Sequence, residues 1–258
     1  MMRLPLLFIF LTFALNAISA QPTVQRVTYQ ASHEFPASDV YNGMNTLYFN
    51  QTTSRYLHNN YPSKSSVKED QNIIRIKAGD PEQFPVYVSL RDSVIMGKVR
   101  GLPSLANQVS IIEEPLQPVD WKIGKAQRII GDYPALQATA TVEGRTYVAW
   151  FTPAIPVPFG PYRLYGLPGL ILEASTEDGQ VKWTFESIGQ VTDTGDLLTP
   201  PTYGEHYDWE EFVEARIATK LRKESKSGVD FSISVNDPNP DFFIERDKFS
   251  IFKHYLND

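Results

Sequence analysis

The residues whose types and spacing could do chemistry are few and scattered. His206 stands in Gly204-Glu205-His206-Tyr207-Asp208, where an imidazole lies between two carboxylates that could help it ligate a cation. Such sites need a second imidazole at hairpin or helical spacing, or an H-E-x-x-H run, and neither accompanies His206. The segment therefore reads as an ordinary loop ahead of a helix. His33, His58 and His254 are isolated and read as exposed or strand-facing imidazoles. Ser65-Ser66-Val67-Lys68 has the S-x-x-K spacing in which a lysine can activate a serine, but it sits in the polar stretch 62–70 without an S-D-N or K-T-G partner, and reads as a solvated loop. Ser225-Lys226-Ser227, at the frayed end of a helix, is no better. G-x-S-x-G, G-x-x-x-x-G-K-[ST] and G-x-G-x-x-G do not occur, so neither a serine elbow nor a phosphate cradle is visible. Glu113-Glu114 and Glu210-Glu211 are most simply solvated charges, because carboxylate pairs that cleave glycosides or phosphoesters converge only in three dimensions. The residues nominate no catalytic group, no metal set and no cofactor.

Composition narrows the classes further. The 258 residues contain no cysteine, which excludes disulfides, thiolate metal sites and a cysteine nucleophile. A formal net charge of -6 provides no footprint for nucleic acid or anionic lipid. At the N-terminus, Arg3, the apolar run 4–15 and the small residues ending at Ala20 have the three regions of a secretory signal peptide. The run is shorter than the ~18 to 20 residues that cross a bilayer. Residues 1–20 are thus expected to be a cleaved signal, with no membrane span afterwards and a periplasmic or extracellular destination.

Beyond residue 20, most of the chain has the period-2 alternation of strands. Strands are expected over 24–35, 46–49, 54–57, 72–77, 86–90, 94–99, 109–112, 125–130, 136–142, 145–151, 170–175 and 181–188. Glu143-Gly144 and Asp178-Gly179 supply hairpin turns. One helix is expected over 208–225: Asp208 is its N-cap with an acid at the third helical position, and Trp209, Phe212, Val213, Ile217 and Leu221 recur near helical spacing. Acids crowd its start and bases its end, as the helix dipole favours. A polar, proline-containing stretch runs from 232 to 241. The expected architecture is mostly β, one domain over 21–258: a curved antiparallel meander or half-barrel with one amphipathic helix late in the chain, or alternatively a two-sheet sandwich.

Residues 150–173, WFTPAIPVPFGPYRLYGLPGLILE, hold five prolines and three glycines among aromatic and branched apolar residues, and must follow a specified irregular path. Leu167-Pro168-Gly169-Leu170 suits a type II turn with Gly169 at positive φ. Gly166-Leu167-Pro168-Gly169-Leu170-Ile171, with Gly144-Arg145-Thr146-Tyr147-Val148-Ala149-Trp150-Phe151-Thr152, Ile155-Pro156 and Gly160-Pro161-Tyr162, resembles the GLPGLI family of exported Bacteroidetes proteins. The resemblance covers 121–188 best. It implies export and implies no activity. Relatives often carry a cysteine where this chain has Ala135, so any role of that thiol is lost here.

Taken together, the reading is an exported cell-envelope protein, noncatalytic, binding a protein partner or an apolar ligand, with the alternative of a periplasmic hydrolase or metal-binding protein. Phe159, Tyr162 and Tyr165 are its candidate contact residues, on the expectation that the loop 153–165 displays them. Protein made in its own host should begin at Gln21 by N-terminal sequencing. Retention of residues 1–20 in a membrane fraction would make that segment an anchor.

Overall fold

A computed structural model describes residues 23–33, 41–58, 66–70, 73–77, 85–100, 109–212 and 215. The expected signal at 1–20, most of the expected helix and the 232–241 stretch lie outside them, as does His254. The strands are β1 (Thr23–His33), β2 (Tyr41–Phe49), β3 (Thr53–His58), β4 (Ser66–Asp70), β5 (Ile73–Lys77), β6 (Val86–Ser89), β7 (Val94–Arg100), β8 (Val109–Pro115), β9 (Lys122–Ile130), β10 (Tyr133–Val142), β11 (Arg145–Thr152), β12 (Leu170–Thr176), β13 (Val181–Thr192) and β14 (Glu205–Tyr207). The protein is mostly β. One large sheet of 12 strands has the order β14-β8-β7-β6-β3-β2-β1-β13-β12-β11-β10-β9, and β4 and β5 form a separate two-stranded hairpin. All pairings in the large sheet are antiparallel except β14 on β8.

Two expected loops are strands. Ser66-Val67-Lys68, the described part of the S-x-x-K run, belongs to β4, whose backbone pairs with β5. His206 belongs to β14, which finds its backbone partners on β8, with His206 opposite Ile111. The hairpins largely follow their turn residues. Glu143 and Gly144 both have positive φ, 48° and 75°, the requirement of a two-residue loop between twisted strands. Between β12 and β13 only Gly179 is left-handed, because Gly179 N–H bonds back to Thr176 C=O in a longer loop.

The sheet cannot be flat. β8 and β9 stand ten strand spacings apart, about 48 Å at ~4.8 Å each, yet the connector between Pro115 and Lys122 reaches no more than about 25 Å. The two ends of the sheet therefore fold back toward each other. A curved meander and two facing layers share that return.

Residues 153–169 fill the inner side. A row of opposed residues, Ala31, Trp183, Ala174, Ala149 and Ala138, crosses five adjacent strands, and all five are buried. Four of them end at Cβ, which leaves depth over the sheet for the buried Val157, Phe159, Leu164 and Leu167. Two of the segment's prolines shape tight turns. Val157 N–H bonds to Ile155 C=O across Pro156, and Gly169 N–H to Leu167 C=O across Pro168, two three-residue turns whose central φ proline already favours.

The Leu167–Leu170 type II turn is thus corrected. Gly169 is not at positive φ; Gly166 is, at 95°. Glycine is required at 169 for close approach, since a Cβ there would stand 2.3 Å from the Thr152 carbonyl oxygen. Gly169→Ala should lower stability by about 3 kcal/mol, because backbone on both sides must shift. Gly189→Ala, with nothing within 4 Å of its Cβ position, should change it by less than about 1 kcal/mol. Equal urea midpoints for the two variants would remove the close-approach account.

Candidate functional site

The inner face gathers aromatic and polar side chains that lie far apart in the chain. Alternation along β1 turns Val27, Tyr29, Ala31 and His33 inward, and neighbouring strands add Asn45, Tyr56, Tyr147 and Trp183, all buried. Tyr56 is the hub: its hydroxyl accepts from Asn45 Nδ2 at 2.7 Å and from Trp183 Nε1 at 2.8 Å. Tyr162, from the inserted segment, stacks on Trp183 with ring centroids 6.4 Å apart and meets Tyr56 and His58 edge-on. Its φ of 56° is a costly conformation for a bulky side chain, about 1 to 3 kcal/mol. The rings that surround it and the Leu164 N–H bond to Pro161 C=O hold it there.

Two imidazoles border this cluster. His33, 3% exposed, sits edge-on to Trp183, and His58 edge-on to Tyr56. Burial pushes His33 down to about 3, aided by the charges of His58 and Arg145, and burial pushes His58 down to about 4. Both are neutral at physiological pH. Burial likewise raises the Tyr29 and Tyr147 phenols, and Tyr29 donates its proton to Ile171 C=O at 2.8 Å.

Arg163, next to Tyr162, joins the ends of the fold. Its guanidinium is ion-paired to Glu114 on β8 and to Glu143 in the β10–β11 turn, and it lies over Gly97 of β7, 3.6 Å from where a Cβ would stand. Burial opposes its charge, and the two carboxylates outweigh that cost and hold it above its ordinary value. Glu114, expected as a solvated charge, is thus a partner of an arginine.

The candidate contact residues face inward to different degrees. Phe159 is 0% exposed, packed in the main core, so the expectation that it is displayed is corrected: the shallow alanine row makes a deep apolar slot for it. Tyr162 is partly buried in the ring cluster. Tyr165 is partly buried against the β8–β9 connector; its hydroxyl donates to Gln117 C=O at 2.7 Å and accepts from Gln117 N–H at 3.2 Å, while its own C=O accepts from Trp121 Nε1 at 2.7 Å. The GLPGLI residues 166–171 are a folding element beside it. Nothing in the sequence paired His33 with Trp183 or His58 with Tyr162, because the partners come from separate segments.

His206 takes part in a different feature. Its Nδ1 lies 3.7 Å from Glu113 Oε2, in an open groove of about 480 Å³ also lined by Asp92, Asp208 and Glu211. Glu211 is occupied as the expected capping box: its carboxylate accepts from Asp208 N–H and its N–H donates to the Asp208 carboxylate. Among the described residues no three His, Asp or Glu side chains are grouped so as to hold a metal ion.

The exposed feature of the sheet is its edge. β9 ends the strand order, and its first eight residues are exposed, with Ile123 at 52% and Ile129 at 69%. Lys122, Lys125 and Arg128 make this strand basic in an acidic protein, with no acid among its residues. Arg128 alone reaches back, pairing with Glu173 and lying 4.1 Å over the Trp150 ring. The pairing of β9 with β10 shifts register between Leu136 and Ala138. A smaller cleft of about 340 Å³ opens at the far end of the inserted segment, among Phe49, Tyr133, Ile155, Val157 and Ile188.

Comparison with known proteins gives a limited match. A family model described as "Protein of unknown function (Porph_ging)" matches residues 140–173, the β10–β12 region that includes the inserted segment. No curated protein matches. Among solved structures the chain is similar to PNGF-II in two crystal forms. The P21 form is 16% identical with a TM-score of 0.51, over 78% of this chain and 34% of that one. The C2 form is 16% identical with a TM-score of 0.52, over 77% and 33%. The likeness is one of fold, and the chain spans about a third of PNGF-II.

The neutral imidazoles make stability depend on pH in a definite direction. Unfolded His titrates near 6.5 and these two near 3 and 4 when folded, so the unfolded chain binds more protons between those values. The contribution is complete above about pH 6.5 and is lost as pH falls toward 4. Between pH 7 and pH 5, the parent protein should lose about 2 kcal/mol or more beyond the loss in a His33→Gln, His58→Gln double variant, by urea titration. Parallel losses would mean that the imidazoles are not held neutral.

Proposed function

We propose that this is an exported, noncatalytic envelope protein that binds a protein partner through the open edge of its sheet, and that the sheet is a single curved meander wrapped around residues 153–169. The observation that carries the reading is β9, exposed along eight of its nine residues, with Ile123 and Ile129 in water at the edge of the sheet. An exposed strand edge with apolar side chains is a template for pairing, which folded proteins leave open at a cost in aggregation unless it is used. Arg163, which spans from β8 to the β10–β11 turn, supports a continuous curve. The aromatic residues of the inserted segment serve as the rigid support of that surface, with Tyr165 and Trp121 fixing the connector that leads into β9.

A second reading, an apolar ligand, is favoured by the cleft beside Phe49 and Ile155, whose volume lies at the small end of ligand sites. Native mass spectrometry of protein purified from its own host separates the two. The expected result is a retained protein chain that is displaced when Ile123→Ser and Ile129→Ser are combined. A retained small molecule, unaffected by those changes, would favour the cleft; no retained species at micromolar protein would count against both.

A further inference from the structure

Resting on that reading, we propose that the partner docks by strand addition, as an extended acidic segment laid along the outer edge of β9. Three observations select this occupant. The edge has backbone groups to offer, since β10 lies on one side of β9 only and no strand covers the other among the described residues. Its charge is entirely positive, Lys122, Lys125 and Arg128, on a chain whose net charge is -6. Its apolar side chains, Ile123 and Ile129, stand on the same strand at positions an added strand would cover.

A second copy of this chain fits less well. Two β9 edges would bring Lys122 and Lys125 against the same lysines of the other copy, with no acid on either strand to offset them and with Arg128 already paired to Glu173, and like charges across a strand pair are destabilising. Lysines at a sheet edge suppress pairing with one's own kind, and the same charges attract a strand of opposite sign. The edge is thus closed to copies of itself and open to an acidic partner. The register shift opposite Leu136–Ala138 divides β9 into a short regular piece at Lys122–Ile123 and a longer one at Gln127–Ile130, with Lys125 in the unpaired stretch between them, so the added strand should pair mainly along the longer piece while its acids meet Lys122 and Lys125.

The probe is a soluble ten-residue peptide alternating Glu and Val, with a Lys–Val peptide as its counterpart, titrated against the full mature chain. The Glu–Val peptide should bind, weaken at least tenfold between 50 mM and 300 mM salt, and slow amide hydrogen exchange along residues 122–130. Lys122→Glu with Lys125→Glu should weaken it at least tenfold and admit the Lys–Val peptide, with the melting temperature unchanged. Alternate residues of a regular strand turn their N–H outward, so of Gln127→Pro and Arg128→Pro, both in the regular piece, the one that keeps the parent melting temperature should lose binding.

Binding of both peptides alike, binding without protection at 122–130, or no binding would overturn the proposal. So would binding that appears only after removal of residues 216–258, which would make the chain's own segment the occupant. Should a partner chain retained from the host stay bound to the Lys122→Glu, Lys125→Glu variant, strand addition by an acidic segment fails while partner binding stands.

Discussion

A short connector governs the shape of this protein. The chain leaves β8 near one end of a long sheet and, after residues 116–121, begins β9 at the other end. No flat sheet permits that step, so the strands between must bring their ends together, and the inner face becomes enclosed. Everything buried there depends on the closure. The inserted segment 153–169 has an interior to fill, the alanine row gives it room, and Arg163 finds one carboxylate on β8 and another in the β10–β11 turn, toward the opposite end of the sheet order. Tyr165 and Trp121 then bind the connector itself to the insert.

Filling an enclosed sheet with irregular chain creates a polar problem. Buried backbone groups without partners cost more than most side-chain contacts return. Backbone bonds answer part of it: Val157 and Gly169 close tight turns, and Gly166, Leu170 and Ile171 donate to the Pro158, Ile155 and Phe159 carbonyls further back in the segment. The remaining polar atoms are side chains. Tyr56 settles two of them at once by accepting from Asn45 and Trp183, and the same low-dielectric setting keeps His33 and His58 uncharged. The strain at Tyr162 is tolerable only because this network surrounds its ring.

How much of this is legible in the residues alone depends on range. Alternation locates most of the strands, and Glu143-Gly144 and the Asp208–Glu211 capping box are legible because their partners lie within a few positions. β4 escapes because its alternation is weak in a polar run, and β14 because three residues carry no period. Gly169 stands out as essential in the sequence, but the reason lies in the Thr152 carbonyl rather than in its own torsion, and only the path of the insert brings that carbonyl near. The burial of Phe159 is not legible, because an aromatic in a Pro/Gly-rich loop looks alike whether packed or displayed. The Arg163 pairings depend on the two ends of the sheet returning toward each other, and no local pattern encodes that. The exposure of β9 is equally hidden, since its isoleucines would read the same on a covered strand.

The position of β1 bears on the order in which this molecule can assemble. It lies in the middle of the sheet, and one of its two neighbours is β13, with Thr23 opposite Thr192 and His33 opposite Val181. During synthesis the run β1, β2, β3, β6, β7, β8 can pair progressively, each strand on one already made, while the other side of β1 stays bare. Only when nearly the whole sheet has been translated can the second run, β9 to β13, dock against it. Joining segments so distant in sequence is entropically slow. An apolar, unpaired flank of β1 is therefore exposed throughout that interval, and nascent chains must either be kept apart or remain unfolded until β13 arrives.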